Sequence, residues 1–185
     1  MNKLFNKKPI SNIIFVIAIV LLLYPPTREW GMRQLAFAPS IKNNKKVEFV
    51  KSYDWSLRGL NTKDINFDEF KGKVIFINFW ATWCPPCRAE MPMIQKLYND
   101  YKDKVTFIFV TNEDRKTVET FFNKRAFNLP AYNSLSSPPK IFLKTNSIPA
   151  TYLLDKNGAI LISKTGAADW NSSKVRNLLD DLLSK

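Results

Sequence analysis

The stretch VIFINFW, residues 74–80, is a nearly continuous apolar run that contains several β-branched side chains. Such a run is typical of a strand in the middle of a sheet, with both faces covered by other elements. A second apolar run, VTFIFV at 105–110, follows after a segment whose apolar residues recur at helical spacing. These patterns predict an α/β domain built around a central mixed sheet.

The rest of the chain extends this pattern. Residues 114–127 and 170–183 have the apolar spacing of helices, and residues 54–70 contain short alternating pieces typical of a small strand pair. The strands TYLLD (151–155) and AILISK (159–164) are separated by Asn157-Gly158, a strong hairpin signal. The predicted order after the small pair is β, α, β, α, β, β, α, with helices on both faces of the sheet.

The N-terminal segment predicts export. Lys3, Lys7 and Lys8 precede an apolar run, 13–24, of 12 residues, or about 18 Å as a helix against about 30 Å of hydrocarbon. That length suits a signal-peptide core, yet no small-residue cleavage site follows closely. We expect an uncleaved single-pass anchor at 1–30, a tether at 31–52 and a folded domain at 53–185 in the periplasm or another extracytoplasmic space. A removed signal that releases the domain to the periplasm, or a buried helix, remains open.

Composition excludes several function classes. The chain contains no histidine, which removes catalytic Ser-His and Cys-His pairs and histidine metal ligands. The net charge is +12, but the basic residues are spread along the chain rather than interleaved with exposed aromatics. Nucleic-acid binding is therefore not expected. An ordinary solvated basic surface is the favoured interpretation of this charge, and attraction to anionic lipid or an acidic partner is the alternative.

The chain has two cysteines, Cys84 and Cys87, in the segment FWATWCPPC. A haem attachment site needs histidine after the second cysteine, where this chain has Arg88. A structural zinc site would need four ligands, and a permanent disulfide across so short a loop would add little stability. A redox pair is the favoured interpretation.

The position of the pair predicts its chemistry. Cys84 lies between a buried strand and a helix, where unpaired N–H groups and the helix dipole favour a thiolate and lower the pKa of the thiol. We expect Cys84 to be the exposed nucleophile and Cys87 the buried resolving thiol. Glu90, one turn beyond Cys87, is a candidate proton acceptor, although a solvated Glu paired with Arg88 or Lys96 fits the same spacing.

The segment KGKVIFINFWATWCPPCRAEMP (71–92) resembles the thioredoxin superfamily, and within it the exported TlpA/ResA-like thiol–disulfide oxidoreductases. NSIPATYLLDKNGAIL (146–161) and Gly166 with the following AADW support the resemblance, which covers residues 53–184. It implies a thioredoxin-like fold and a cis peptide bond at Ile148-Pro149. Cytoplasmic thioredoxins carry a buried Asp where this chain has Asn78. The ResA-like branch instead has a Glu at the position of Glu90, which favours Glu90 as acid/base.

The resemblance also implies a function. Cys84, Cys87 and Glu90 would be catalytic, and Trp83, Pro85, Ile148 and Pro149 would contact the substrate. The expected activity is disulfide exchange with protein substrates, as a reductant in cytochrome c maturation or a related extracytoplasmic pathway. An oxidant, an isomerase or a redox-inactive peptide-binding module remain alternatives. We expect no metal or cofactor beyond the Cys84–Cys87 disulfide, a membrane-bound electron donor and a monomer.

Overall fold

The computed structural model of the protein describes residues 7–42 and 47–184. Residues 1–6, with Lys3 of the predicted basic segment, lie outside the described residues, as do 43–46 of the predicted tether and residue 185.

The described part of the chain contains five α-helices, eight strands and two short 3₁₀ helices, which are formed by Phe67–Phe70 and Lys140–Leu143. The α-helices are α1 (Lys7–Leu23), α2 (Pro25–Gln34), α3 (Pro85–Tyr101), α4 (Arg115–Arg125) and α5 (Ser173–Ser184). The strands are β1 (Glu48–Phe49), β2 (Ser56–Gly59), β3 (Ile65–Asn66), β4 (Ile75–Phe79), β5 (Thr106–Val110), β6 (Ala131–Ser134), β7 (Ala150–Leu154) and β8 (Ala159–Thr165).

The strands form one mixed sheet in the order β1-β8-β7-β4-β5-β6-β2-β3. As the apolar run predicts, β4 lies in the interior, parallel to β5 on one side and antiparallel to β7 on the other. Asn157-Gly158 lies in the predicted β7–β8 hairpin, and Gly158 has a φ of +77°, which glycine adopts without the penalty that a Cβ would bring. The prediction of a central mixed sheet is confirmed.

Helices α3, α4 and α5 lie on one face of the sheet, and the two 3₁₀ helices lie on the other. Alternate residues of β4 and β5 enter one apolar cluster together with α3, α4 and α5, whereas the other residues face a cluster that contains Phe67 and Phe142 from the 3₁₀ helices. The connections β4-α3-β5 and β5-α4-β6 run in the same direction across the sheet. Because parallel crossovers are right-handed, both helices fall on one face.

The N-terminal helices meet at a sharp bend. The Ser11–Leu21 and Pro26–Gln34 segments are inclined at 84° to each other. Tyr24 has extended backbone angles between them, as expected for a residue before proline. Within the described residues, no single helix is long and apolar enough to cross a membrane, although this bent pair passes the same test of length and composition.

Part of the predicted tether lies along the domain. The carbonyl of Phe37 accepts the N–H of Asp169 at 3.0 Å, and the N–H of Lys42 donates to the carbonyl of Leu161 at 2.8 Å. Ile41 packs against the apolar cluster of the helical face. Residues 37–42 are therefore fixed to the folded domain at these points.

Candidate active site

The cysteine pair lies at the start of α3, after the loop that follows β4. Cys84 is the N-cap of α3, and its sulfur accepts the N–H of Cys87 at 3.3 Å. Pro85 and Pro86 occupy the first two helical positions, where proline's fixed φ suits the helix and its missing N–H would have no intrahelical partner. The two sulfurs are joined in a disulfide, with an S–S distance of 2.12 Å.

Both sulfurs are covered in this oxidised form. Cys87 is fully buried, as predicted, but Cys84 is only 2% exposed, so the prediction of an exposed sulfur is wrong for the disulfide state. Ile148 lies against the pair from the other side, with its carbonyl oxygen 3.8 Å from the Cys84 sulfur. The Ile148-Pro149 peptide bond is cis, as the resemblance implied.

The predicted substrate-contact residues differ in their exposure. Trp83 is 68% exposed, Ile148 and Pro85 are partly buried, and Pro149 is buried. Trp83 and Ile148 line a cavity of about 350 Å³ beside the disulfide. Trp80 also lines this cavity, but its side chain is buried and stacks on Phe122 with ring centroids 5.3 Å apart.

Glu90 is fully buried, which excludes the alternative of a solvated surface residue. One carboxylate oxygen accepts from Trp170 Nε1 at 2.8 Å and from the N–H of Ala168 at 3.2 Å. The other accepts from Asn78 Nδ2 at 2.9 Å. Asn78 also donates to Thr151 Oγ1 at 2.7 Å, so the network joins α3 to β4 and β7.

Burial raises the pKa of Glu90 from its ordinary value of 4.5 to about 8, because desolvation outweighs the hydrogen bonds from Trp170, Ala168 and Asn78 that favour the carboxylate. A carboxyl group with a pKa near neutrality can both take up and release a proton, which is what an acid/base group requires. Asn78 cannot ionise, but it binds the side chain that can.

Sequence reasoning missed several contributors to the site. The carboxylate of Glu113 accepts from both the N–H and the hydroxyl of Thr82, each at 2.6 Å, and so holds the loop that leads into Trp83. Thr151 and Trp170 complete the surroundings of Glu90. Trp170 stands in the AADW segment that carried the resemblance, but nothing in the pattern connected it with Glu90.

Among the described residues, no group of three or more Cys, Asp or Glu side chains is arranged to hold a metal ion.

Comparison with known proteins agrees with this geometry. The model of the Redoxin family matches residues 38–182. The chain belongs to the Redoxin family. The thiol–disulfide oxidoreductase ResA of Oceanobacillus iheyensis is 29% identical over 163 residues, which cover 84% of this chain and 82% of that protein. ResA of Bacillus thuringiensis subsp. konkukian is 33% identical over 121 residues, 63% of this chain and 69% of that protein.

A solved structure shows the same fold. A thiol:disulfide interchange protein of the thioredoxin family from Chlorobium tepidum matches with a TM-score of 0.53 and 21% identity, over 77% of this chain and 96% of that one. The fold is thioredoxin-like, and together with the family and its relatives this identifies the chain as a thiol–disulfide oxidoreductase.

Proposed function

We propose that the protein is a membrane-anchored, extracytoplasmic reductant of protein disulfides, with Cys84 as nucleophile, Cys87 as resolving thiol and Glu90 as proton acceptor. The observation that carries this proposal is the Cys84–Cys87 pair at the start of α3, faced by Ile148 and followed one turn later by the buried Glu90.

The exchange has two steps. The reduced Cys84 thiolate attacks a substrate disulfide, forms a mixed disulfide and releases one substrate thiolate. Cys87 then loses its proton to the Glu90 carboxylate and attacks the Cys84 sulfur, which restores the Cys84–Cys87 disulfide and releases the second substrate thiolate. Two electrons pass to the substrate, and a membrane-bound dithiol donor would return the pair to its reduced form.

The residues at the start of α3 support the proposal that electrons flow from this protein to its substrate. Pro85 and Pro86 remove two N–H groups that could otherwise stabilise a Cys84 thiolate, and the N–H of Cys87 is the hydrogen-bond donor observed at that sulfur. A less stabilised thiolate makes the reduced form more strongly reducing, whereas strong oxidants stabilise their reduced form. This favours a reductant over an oxidant or isomerase.

The substrate surface follows from what is exposed. Trp83 and Ile148 line the cavity beside the disulfide, and Leu143 adds an exposed apolar side chain to it. A peptide with apolar residues beside its cysteine fits this surface, and we propose that Ile148 and Pro149 align it while Trp83 and Pro85 contact it. On the family resemblance we propose a role in cytochrome c maturation.

Insulin reduction with dithiothreitol as electron source tests the activity. We expect turnover in the wild type and none in Cys84→Ser, because the nucleophilic sulfur is gone. Equal behaviour of the two proteins would instead favour a redox-inactive peptide-binding module. In cells, the same substitution should lower the amount of haem bound covalently to c-type cytochromes, and unchanged haem would remove the proposed pathway.

A further inference from the structure

Helix α2 contains a buried carboxylate that the proposed disulfide exchange does not use. Glu29 is 2% exposed, and both of its oxygens accept from Arg125, Nη1 to Oε2 at 2.9 Å and Nη2 to Oε1 at 3.0 Å. Arg88 also donates to Oε1. Burying a carboxylate without partners is costly, and paired guanidinium groups satisfy it with directed hydrogen bonds. Glu29 is therefore held in place by two arginines, and the three residues are termed the Glu29 cluster.

The Glu29 cluster connects α2 to the helix that carries the cysteines. Arg88 directly follows Cys87 in α3, and Arg125 is the last residue of α4. Arg33 of α2 adds a hydrogen bond to the carbonyl of Ala89 at 3.4 Å. With the backbone contacts of Phe37 and Lys42 to the domain, α2 is attached to the enzyme both through its side chains and through the segment that follows it.

The solvent-exposed side of α2 and of the residues that flank it is apolar, aromatic and basic. Tyr24 is 57% exposed, Trp30 62%, Leu35 72% and Phe37 80%. Arg28 is exposed too, whereas Glu29, the one acidic residue of α2, is buried. Aromatic and basic side chains on an exposed helix are typical of the boundary between lipid headgroups and acyl chains.

The angle between α1 and α2 is compatible with the exposed side of α2 lying at such a lipid boundary. The described apolar side chains of α1, which lie between Ile13 and Leu23, are exposed, and the two helices meet at 84°. If α1 enters a bilayer along its normal, α2 lies nearly in the plane of that bilayer. A cavity of about 550 Å³ at this corner is lined by Leu21, Thr27, Arg28, Trp30, Gly31 and Met32. The outer face of α2 is thus continuous with the apolar surface of α1.

We propose that α2 lies on the membrane surface among anionic phospholipids, and that the Glu29 cluster couples it rigidly to α3. The Cys84–Cys87 site is then held at a fixed height above the bilayer, where it meets disulfides presented close to the membrane. Lipid is the occupant because the exposed charge of α2 is basic and its apolar face continues that of α1. The inference rests on the membrane anchoring proposed above.

Hydrogen–deuterium exchange of the full-length protein in phosphatidylcholine–phosphatidylglycerol vesicles tests the coupling. We expect Glu29→Gln to speed exchange of the α2 amides at least about tenfold, because the buried carboxylate that binds Arg88 and Arg125 loses its charge. Glu119→Gln is the matched control, since Glu119 is a partly exposed acidic residue on α4 that pairs with Arg115. Unchanged α2 exchange in Glu29→Gln would overturn the coupling.

Quenching of tryptophan fluorescence by brominated phosphatidylcholine tests the lipid contact. Trp30→Phe should abolish the quenching and Trp83→Phe should keep it, although the two tryptophans are exposed to a similar degree, 62% and 68%. If the protein resists alkaline carbonate extraction but the fluorescence of Trp30 is not quenched, the proposed position of α2 is wrong and the proposed membrane anchoring still holds. If carbonate releases the protein, the proposed anchoring fails as well.

A functional assay links the Glu29 cluster to the redox site. Reduction of a lipid-anchored peptide disulfide should slow roughly tenfold in Glu29→Gln, because the site loses its fixed position over the surface. Reduction of the same peptide free in solution should be unchanged. Equal slowing of both reactions would mean that Glu29 acts on the site through folding alone and would overturn the positioning role.

Discussion

At the scale of single residues, Glu90 combines two opposing influences. Three N–H donors favour its carboxylate, yet full burial raises its pKa to about 8. Since the chain has no histidine, few other side chains titrate between pH 5 and pH 8. The pH dependence of stability in that range should therefore report on Glu90.

Folding raises the pKa of Glu90 from 4.5 to about 8, so the folded state binds this proton more tightly than the unfolded chain does. The stabilisation is complete below about pH 4.5 and is lost as the pH rises through about 8. We expect the free energy of unfolding to fall over this window by up to about 1.4 kcal/mol per pH unit.

Urea unfolding at a series of pH values measures this effect. In Glu90→Gln the fall should be absent, because the amide has no proton to lose, whereas the partly exposed control Glu119→Gln should retain it. Parallel curves for the wild type and Glu90→Gln would show that Glu90 keeps an ordinary pKa.

The sequence predicted the chemistry of these residues better than their surroundings. The C-x-x-C spacing identified Cys84 and Cys87, and the spacing to Glu90 suggested one helical face. The burial of Glu90 depends on Trp170 and Asn78, which are 80 and 12 residues away. Such contacts form only when the sheet closes, so spacing alone left the surface alternative open.

At the scale of elements, the start of α3 sets the properties of the sulfur pair. Pro86→Ala would restore an N–H at the second helical position, from which N-cap side chains commonly accept a hydrogen bond. Such a bond would stabilise the Cys84 thiolate. We expect the reduction potential to rise by on the order of 30 mV, which corresponds to about 1.4 kcal/mol for a two-electron couple.

Equilibration of this variant with glutathione measures the shift. Pro92→Ala is the control, since Pro92 lies inside the same helix but away from its N-terminus, and its potential should match the wild type. A potential of Pro86→Ala equal to or below that of the wild type would contradict the account of the prolines.

The end of α4 offers a test of backbone conformation. Ala126 is the C-cap and has a φ of +55° in the left-handed region, where a Cβ costs about 1 kcal/mol. Ala126→Gly should therefore raise the free energy of unfolding by roughly 0.5–1 kcal/mol in thermal or urea unfolding. Ala89→Gly, in the interior of α3, should lower it instead. A loss of stability in Ala126→Gly would show that the left-handed strain is absent.

The long apolar elements and the small β2–β3 pair within 54–70 were predictable, whereas the short strands β1 and β6 were not. β4, β5 and the β7–β8 hairpin lie within one residue of the expected bounds at most ends, because burial on both faces leaves a continuous apolar run. β6 has the sequence AYNS and β1 contains two residues, so neither carries a pattern long enough to recognise.

At the scale of the whole molecule, the fold brings the start of α3 and the segment around Ile148 to one place, although they are about 60 residues apart in the chain. It also places α2 against α3 through Glu29. In the sequence Glu29 resembles an exposed residue of a membrane-proximal segment, and its arginine partners lie 59 and 96 residues away. The attachment of α2 to the enzyme was therefore not foreseeable from the local pattern.

The division of labour between the two sulfurs is measured most directly by trapping a mixed disulfide. Full-length Cys87→Ser and Cys84→Ser, each with one thiol, would be reacted with the same peptide disulfide and followed by mass spectrometry. We expect Cys84 in the first variant to form the adduct at least about 100-fold faster than Cys87 in the second, since Cys84 is the N-cap of α3, where the helix N-terminus favours its thiolate, whereas Cys87 is fully buried. Equal rates, or faster reaction at Cys87, would contradict this expectation.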